Sequence, residues 1–237
     1  MKKTKLMRAA LLLIVLTLIT SCFVGGTFAK YVTEGDSTDT ARVAKWGVGI
    51  TANGATFAKE YDAKVNVGTI TKSVVSADDS KVVAPGTSGS MVQMTLTGKP
   101  EVAVKVSYAP VFNVEGWTVA DNSPTPFYCP LIIKVSTKLD DGSIGNTVIM
   151  GRDYDNEADF ENAVNVAIAT YNDVYEAGTD LSGVNAKSLS VSWEWPFENT
   201  TDPNAKYPQT DANDTALGNA GNATISLKVT TTVTQID

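Results

Sequence analysis

The chain has 237 residues, 43% of them apolar, with 26 acidic against 19 basic residues and a formal charge of −7. Histidine is absent, which excludes Ser-His-Asp and Cys-His catalysis, HExxH zinc sites and histidine-based metal centres. The acidic balance argues against nucleic acid and against an anionic membrane surface as partners.

The N-terminus opens with a positive stretch carrying Lys2, Lys3, Lys5 and Arg8. An apolar run follows from Ala9 to Ile19, interrupted by Thr17, and gives way to small and polar residues up to Ala29. This is the pattern of a secretory signal peptide. It predicts a signal helix that is cut away, leaving no stable membrane span, since the uninterrupted apolar core is shorter than the roughly 20 residues of a spanning helix. Two cleavage sites compete. Ile19-Thr20-Ser21-Cys22 fits a lipobox, after which Cys22 would be lipidated, but Phe23 and Val24 continue the apolar run where a lipoprotein turns polar. Thr27-Phe28-Ala29 places small residues at both cleavage-pocket positions and predicts a cut between Ala29 and Lys30.

Removal of residues 1–29 leaves 208 residues, with fifteen basic against 26 acidic side chains and a formal charge of −11. That length suits one domain with a substantial core. Residues 30–40 read as an extended polar arm, and 41–237 as a single β-sandwich domain. Cys129 is then the sole cysteine and cannot form an internal disulfide. Tyr128, Pro130, Leu131 and Ile132 beside it favour a buried thiol over a reactive or intermolecular one.

Strands are expected at 42–52, 65–75, 92–96, 102–108, 112–119, 130–137, 145–150, 189–197 and 225–233. The clearest alternate apolar and polar residues, as in Val102, Val104, Val106 and Tyr108, and again in Ile225, Leu227, Val229, Thr231 and Val233. Period two with one apolar face marks a strand lying on a core. Turn chemistry separates them at Ala84-Pro85-Gly86, Gly98-Lys99-Pro100, Asn122-Ser123-Pro124 and Asp140-Asp141-Gly142. The expectation is a mainly β fold, a jelly-roll-like sandwich. One inserted helix is predicted at about 156–176, from Phe160, Val164, Ile168, Tyr171 and Tyr175 at helical spacing. Asn156 would cap its start and Gly178 its end. Residues 198–223 lack an apolar period and read as one long polar loop.

Few residues suggest ligand chemistry. Asp153, Asp155 and Glu157 alternate as in a calcium loop, but Ala158 and Val164 stand where glycine and glutamate are required. An acidic helix start accounts for them. The Asp and Asn oxygens of 198–223 could hold calcium, without any specific spacing. Trp193, Trp195 and Phe197 are either a core face or, if exposed, a carbohydrate-stacking stripe. No phosphate loop or GxSxG element occurs, nothing singles out a glycosidase acid pair, and no other cofactor is expected.

Certain short motifs point further. Gly25-Gly26-Thr27-Phe28-Ala29-Lys30-Tyr31 resembles the cleavage junction of TasA/camelysin-family precursors, which a dedicated SipW-type signal peptidase processes. Residues 41–48 are similar to that family's first strand, and Ala84-Pro85-Gly86-Thr87 to its turn leading into a strand. The ending 225–235 resembles its last strand. The likeness covers both ends and one strand pair; 110–222 matches only in general layout. It implies a jelly-roll-like sandwich secreted to the extracellular matrix or cell surface. Its function would be that of a structural subunit of biofilm-matrix fibres, self-associating when an N-terminal segment lends a strand to the next subunit. Here the donor would be Lys30, Tyr31, Val32 and Thr33, within 30–40. The alternative is an unstructured arm. The metallopeptidase label of some members does not carry over, because HExxH is missing; no enzyme is expected. The competing functional reading is a secreted or lipid-anchored adhesin that uses the 198–223 loop or exposed tryptophans.

Overall fold

A computed structural model of the chain describes residues 7–8, 10–17, 42–53, 57–63, 69–120, 126–138, 144–182, 188–197 and 209–236. The chain divides into two units, Met1–Val43 and Ala44–Asp237. In the first, residues 7–8 and 10–17 are helical and exposed. Among the described residues no helix is long and apolar enough to cross a membrane.

The second unit is mainly β, with helices added. A five-stranded sheet runs in the order β1 (Val48–Asn53), β4 (Ser88–Gly98), β9 (Leu189–Glu194), β6 (Ile132–Lys138) and β7 (Ile144–Met150). A three-stranded sheet is ordered β10 (Thr224–Gln235), β5 (Val104–Glu115) and β8 (Asp173–Tyr175). Every pairing is antiparallel. The two sheets share one core: Met94, Leu96, Ile133, Val135 and Val191 from the larger meet Val104, Val106, Phe112 and Val114 from the smaller. Each such side chain contributes about 1.5–3 kcal/mol relative to exposure. A small hairpin of β2 (Glu60–Asp62) and β3 (Lys72–Val75) sits beside this core. Its Tyr61 meets Trp193 edge-on at 6.2 Å, and nearby Phe57 lies 5.4 Å from the same ring.

The strands expected at 102–108 and 112–119 are one twelve-residue strand, β5, running through Pro110. A proline is tolerated because of backbone parity. The N–H groups of Phe112 and Val114 point away from β10, so even-numbered positions of β5 face the opposite edge. Pro110 therefore removes no bond to β10. β1 starts only at Val48, after Gly47 turns the chain at φ +59; a Cβ there would lie 2.8 Å from the Lys99 carbonyl. Of 65–75, residues 72–75 form β3, and 64–68 lie outside the described residues.

The predicted helix at 156–176 is shorter: α1 spans Glu157–Ala169. The Asn156 side chain caps it by accepting the Asp159 N–H at 2.9 Å. Thr170 ends it, and Asp173–Tyr175 pair with β5 as β8 instead. Tyr175 thus reaches the core from a strand, and Gly178 sits in a later turn at φ +82 rather than at the helix end. The 198–223 stretch is not one continuous loop. Within it Asp211–Ala220 form a second helix, α2, and 198–208 lie outside the described residues. Thr210 caps α2 by accepting the Asn213 N–H at 3.2 Å, and Gly221 closes it in the left-handed conformation at φ 66. Only Asp214 and Leu217 of α2 are buried, which is why no apolar period announces it.

Candidate assembly edge and end cavity

The edges and ends of the sandwich are the places where its backbone and side chains can meet a partner. The small sheet has two edges, and they are treated oppositely. At one, β8 pairs with the first residues of β5. Beyond it, α1 takes over. Asn165 Oδ1 accepts the Phe112 N–H at 2.9 Å, Glu161 Oε1 the Val114 N–H at 2.8 Å, and Glu157 Oε1 the Trp117 N–H at 3.1 Å. These three side chains recur every four residues on one helical face and stand in for a neighbouring strand. Phe160 anchors the helix by packing edge-on against Phe112 at 5.4 Å.

The other edge is β10. It pairs with β5 in unbroken register over twelve residues, from Thr224 opposite Glu115 to Gln235 opposite Val104. By the same parity, its even-numbered residues bond to β5 and its odd-numbered N–H and C=O groups face outward. Among the described residues no strand pairs there. The edge is lightly guarded: it has no proline, no bulge, and one charge, Lys228. Its inner row, Ile225, Leu227, Val229 and Val233, is only half-buried against the core.

At the Thr224 end of β10, α2 docks through a buried polar cluster. Tyr128 Oη donates to Asp214 Oδ1 at 2.5 Å. Gln209 Nε2 donates to Asp214 Oδ2 at 2.8 Å and to the Pro196 carbonyl at 2.8 Å. Asp214 is 8% exposed and Gln209 4%. Burial pushes the Asp214 carboxyl above its ordinary range; hydrogen bonds from Tyr128 and Gln209 oppose this without cancelling it. The Tyr128 phenol is raised too, by burial first and then by Asp214. Beside this cluster lies a cavity of about 630 Å³. Trp195 and Trp117, 5.4 Å apart, form part of its wall, as do Phe57, Leu217 and Ile225.

The expected site residues Cys22, Ala29, Lys30, Tyr31, Val32 and Thr33 lie outside the described residues. Trp193 and Trp195 are 2% and 4% exposed, which removes them as a stacking stripe; Phe197 is 61% exposed and lies over Gly86. Trp193 is walled in by Phe57 and Tyr61, side chains from outside its own sheet that periodicity along β9 cannot reveal. Cys129 is buried, and burial raises its thiol pKa. A Cβ on Gly151 would come within 2.8 Å of the sulfur, so no larger residue fits against it. Asp153 falls in a 3₁₀ turn and Glu157 is committed to the Trp117 N–H just past β5. Among the described residues no group of three or more Cys, Asp or Glu side chains converges to hold a metal ion.

Sequence reasoning missed the α1 ladder and the Tyr128–Asp214–Gln209 cluster. The first had a signal, since Glu157, Glu161 and Asn165 share a four-residue spacing, but acids near a helix start read equally well as dipole partners. The second joins residues far apart in sequence and had none. A scan against protein-family models finds no match, and no curated protein matches the chain.

Proposed function

We propose that the chain, after removal of residues 1–29, is a secreted structural subunit of extracellular or cell-surface fibres in a bacterial biofilm matrix. In this reading its leader is removed by a SipW-type signal peptidase, as the resemblance to the TasA/camelysin family implies, and it self-associates by strand addition. The observation that carries the reading is the outer edge of β10, where the backbone donors and acceptors of the odd-numbered residues meet no strand among the described residues and a half-buried apolar row lies beside them. An extended segment from another copy satisfies both at once. The donor is the segment starting Lys30, Tyr31, Val32 and Thr33.

Mass spectrometry of the exported protein is expected to give Lys30 as the first residue; a lipidated Cys22 contradicts this. Purified 30–237 is expected to sediment as a growing series of polymers. Deletion of 30–40 is expected to leave a folded monomer with unchanged far-UV dichroism. Polymers that persist after the deletion overturn the donor assignment, and a wild-type chain that stays monomeric across salt and pH overturns the fibre reading.

A further inference from the structure

The geometry points to the end cavity as a binding site for a small apolar molecule that carries one anionic group. At about 630 Å³ the cavity has the size of a ligand pocket. Its lining draws Phe57, Val82, Trp195, Leu217 and Ile225 from separate segments of the chain, with Trp195 and Leu217 almost wholly buried. Lys81 is the one charged side chain in the lining, is exposed, and makes no ion pair among the described residues. A single unpaired ammonium beside an apolar wall selects an anion over a neutral or cationic guest.

The helix α2 contributes open space rather than filling. Gly218 lines the cavity, and a Cβ placed on it meets no atom within 4 Å. Gly221, also in the lining, ends the helix. Glycine inside a helix costs roughly 1 kcal/mol relative to alanine, and nothing in the backbone of α2 at Gly218 requires it. Absence of a side chain there keeps the cavity open. This site meets β10 at Thr224 and Ile225, at the start of the strand, and its argument does not depend on the fibre reading.

Two probes test it on the folded chain from Lys30 onward, which contains the whole hydrophobic core. They are 8-anilinonaphthalene-1-sulfonate, flat and anionic, and its neutral analogue N-phenyl-1-naphthylamine, both read by fluorescence titration. Both are expected to bind saturably, one per chain. Gly218→Leu, which improves the helix while filling the cavity, is expected to weaken both probes at least about tenfold with the thermal unfolding midpoint preserved. Lys81→Gln is expected to weaken the sulfonate about fivefold, as for a partly exposed ion pair, and to leave the neutral probe unchanged. No saturable binding, or binding that Gly218→Leu leaves intact, overturns the site. Equal loss of both probes in Lys81→Gln overturns the anionic assignment.

Discussion

Glu161 illustrates how much one side chain settles. Its carboxylate accepts a part-buried strand N–H at 2.8 Å, and removing that acceptor leaves the Val114 donor stranded. Glu161→Ala is expected to destabilise the fold by about 1–3 kcal/mol in urea unfolding. Glu161→Gln, which keeps the acceptor oxygen, is expected to lose less than half as much. Asp214 makes a pH-dependent contribution. Its folded pKa is raised above the ordinary 3.8, so between those two values the native state holds more proton than the unfolded one. Stability from this group is therefore greatest below 3.8, falls as pH rises through the folded pKa, and is level above it. Compared with Asp214→Asn, the wild type is expected to gain stability as the pH is lowered from about 7 to about 4; a difference flat with pH contradicts the desolvation account. Cys129, buried with its pKa raised, is expected to react with iodoacetamide only as fast as the chain unfolds.

At the scale of elements, the strands with the cleanest alternation were the legible ones. β4, β5, β9 and β10 each keep one apolar face through the sandwich core, and period two follows directly from that. Elements fixed by something other than a continuous apolar face were not legible. Tyr171 and Tyr175 carried a helical spacing past Thr170, but Tyr175 is buried from a strand because β5 offers an open edge next to it. In α2 two caps and two buried residues define a helix, too little for a periodic signal. The strands expected at 102–108 and 112–119 leave a gap that holds Pro110; only the parity of β5, visible once α1 is in place, shows why the strand runs through it. The same parity gives a sharp contrast on β10. Thr231→Pro removes an outward N–H and is expected to fold with a thermal midpoint close to wild type. Thr230→Pro removes a bond to β5 at the pair with Ala109 and is expected to destabilise by about 1–3 kcal/mol, the cost of a stranded backbone acceptor. Circular dichroism melting separates the two, and equal destabilisation contradicts the assigned register.

On the scale of the whole molecule, the mainly β architecture with a helix against it follows from the sequence pattern, while the division of labour between its edges does not. A strand's pattern shows which face is buried but not which neighbour it has, so nothing in 104–115 or 224–235 announces that one side of the small sheet is closed by a helix while the other meets no strand among the described residues. Half-burial of the β10 inner row has the same origin: alternation marks an apolar face without saying how completely it is covered. The account's central claim is that this open edge joins one subunit to the next. Electron microscopy of the chain from Lys30 onward, wild type beside Thr231→Pro at equal concentration, tests it most directly. Fibres from the wild type and dispersed, folded monomers from the variant are predicted. Fibres of equal abundance from both would contradict it.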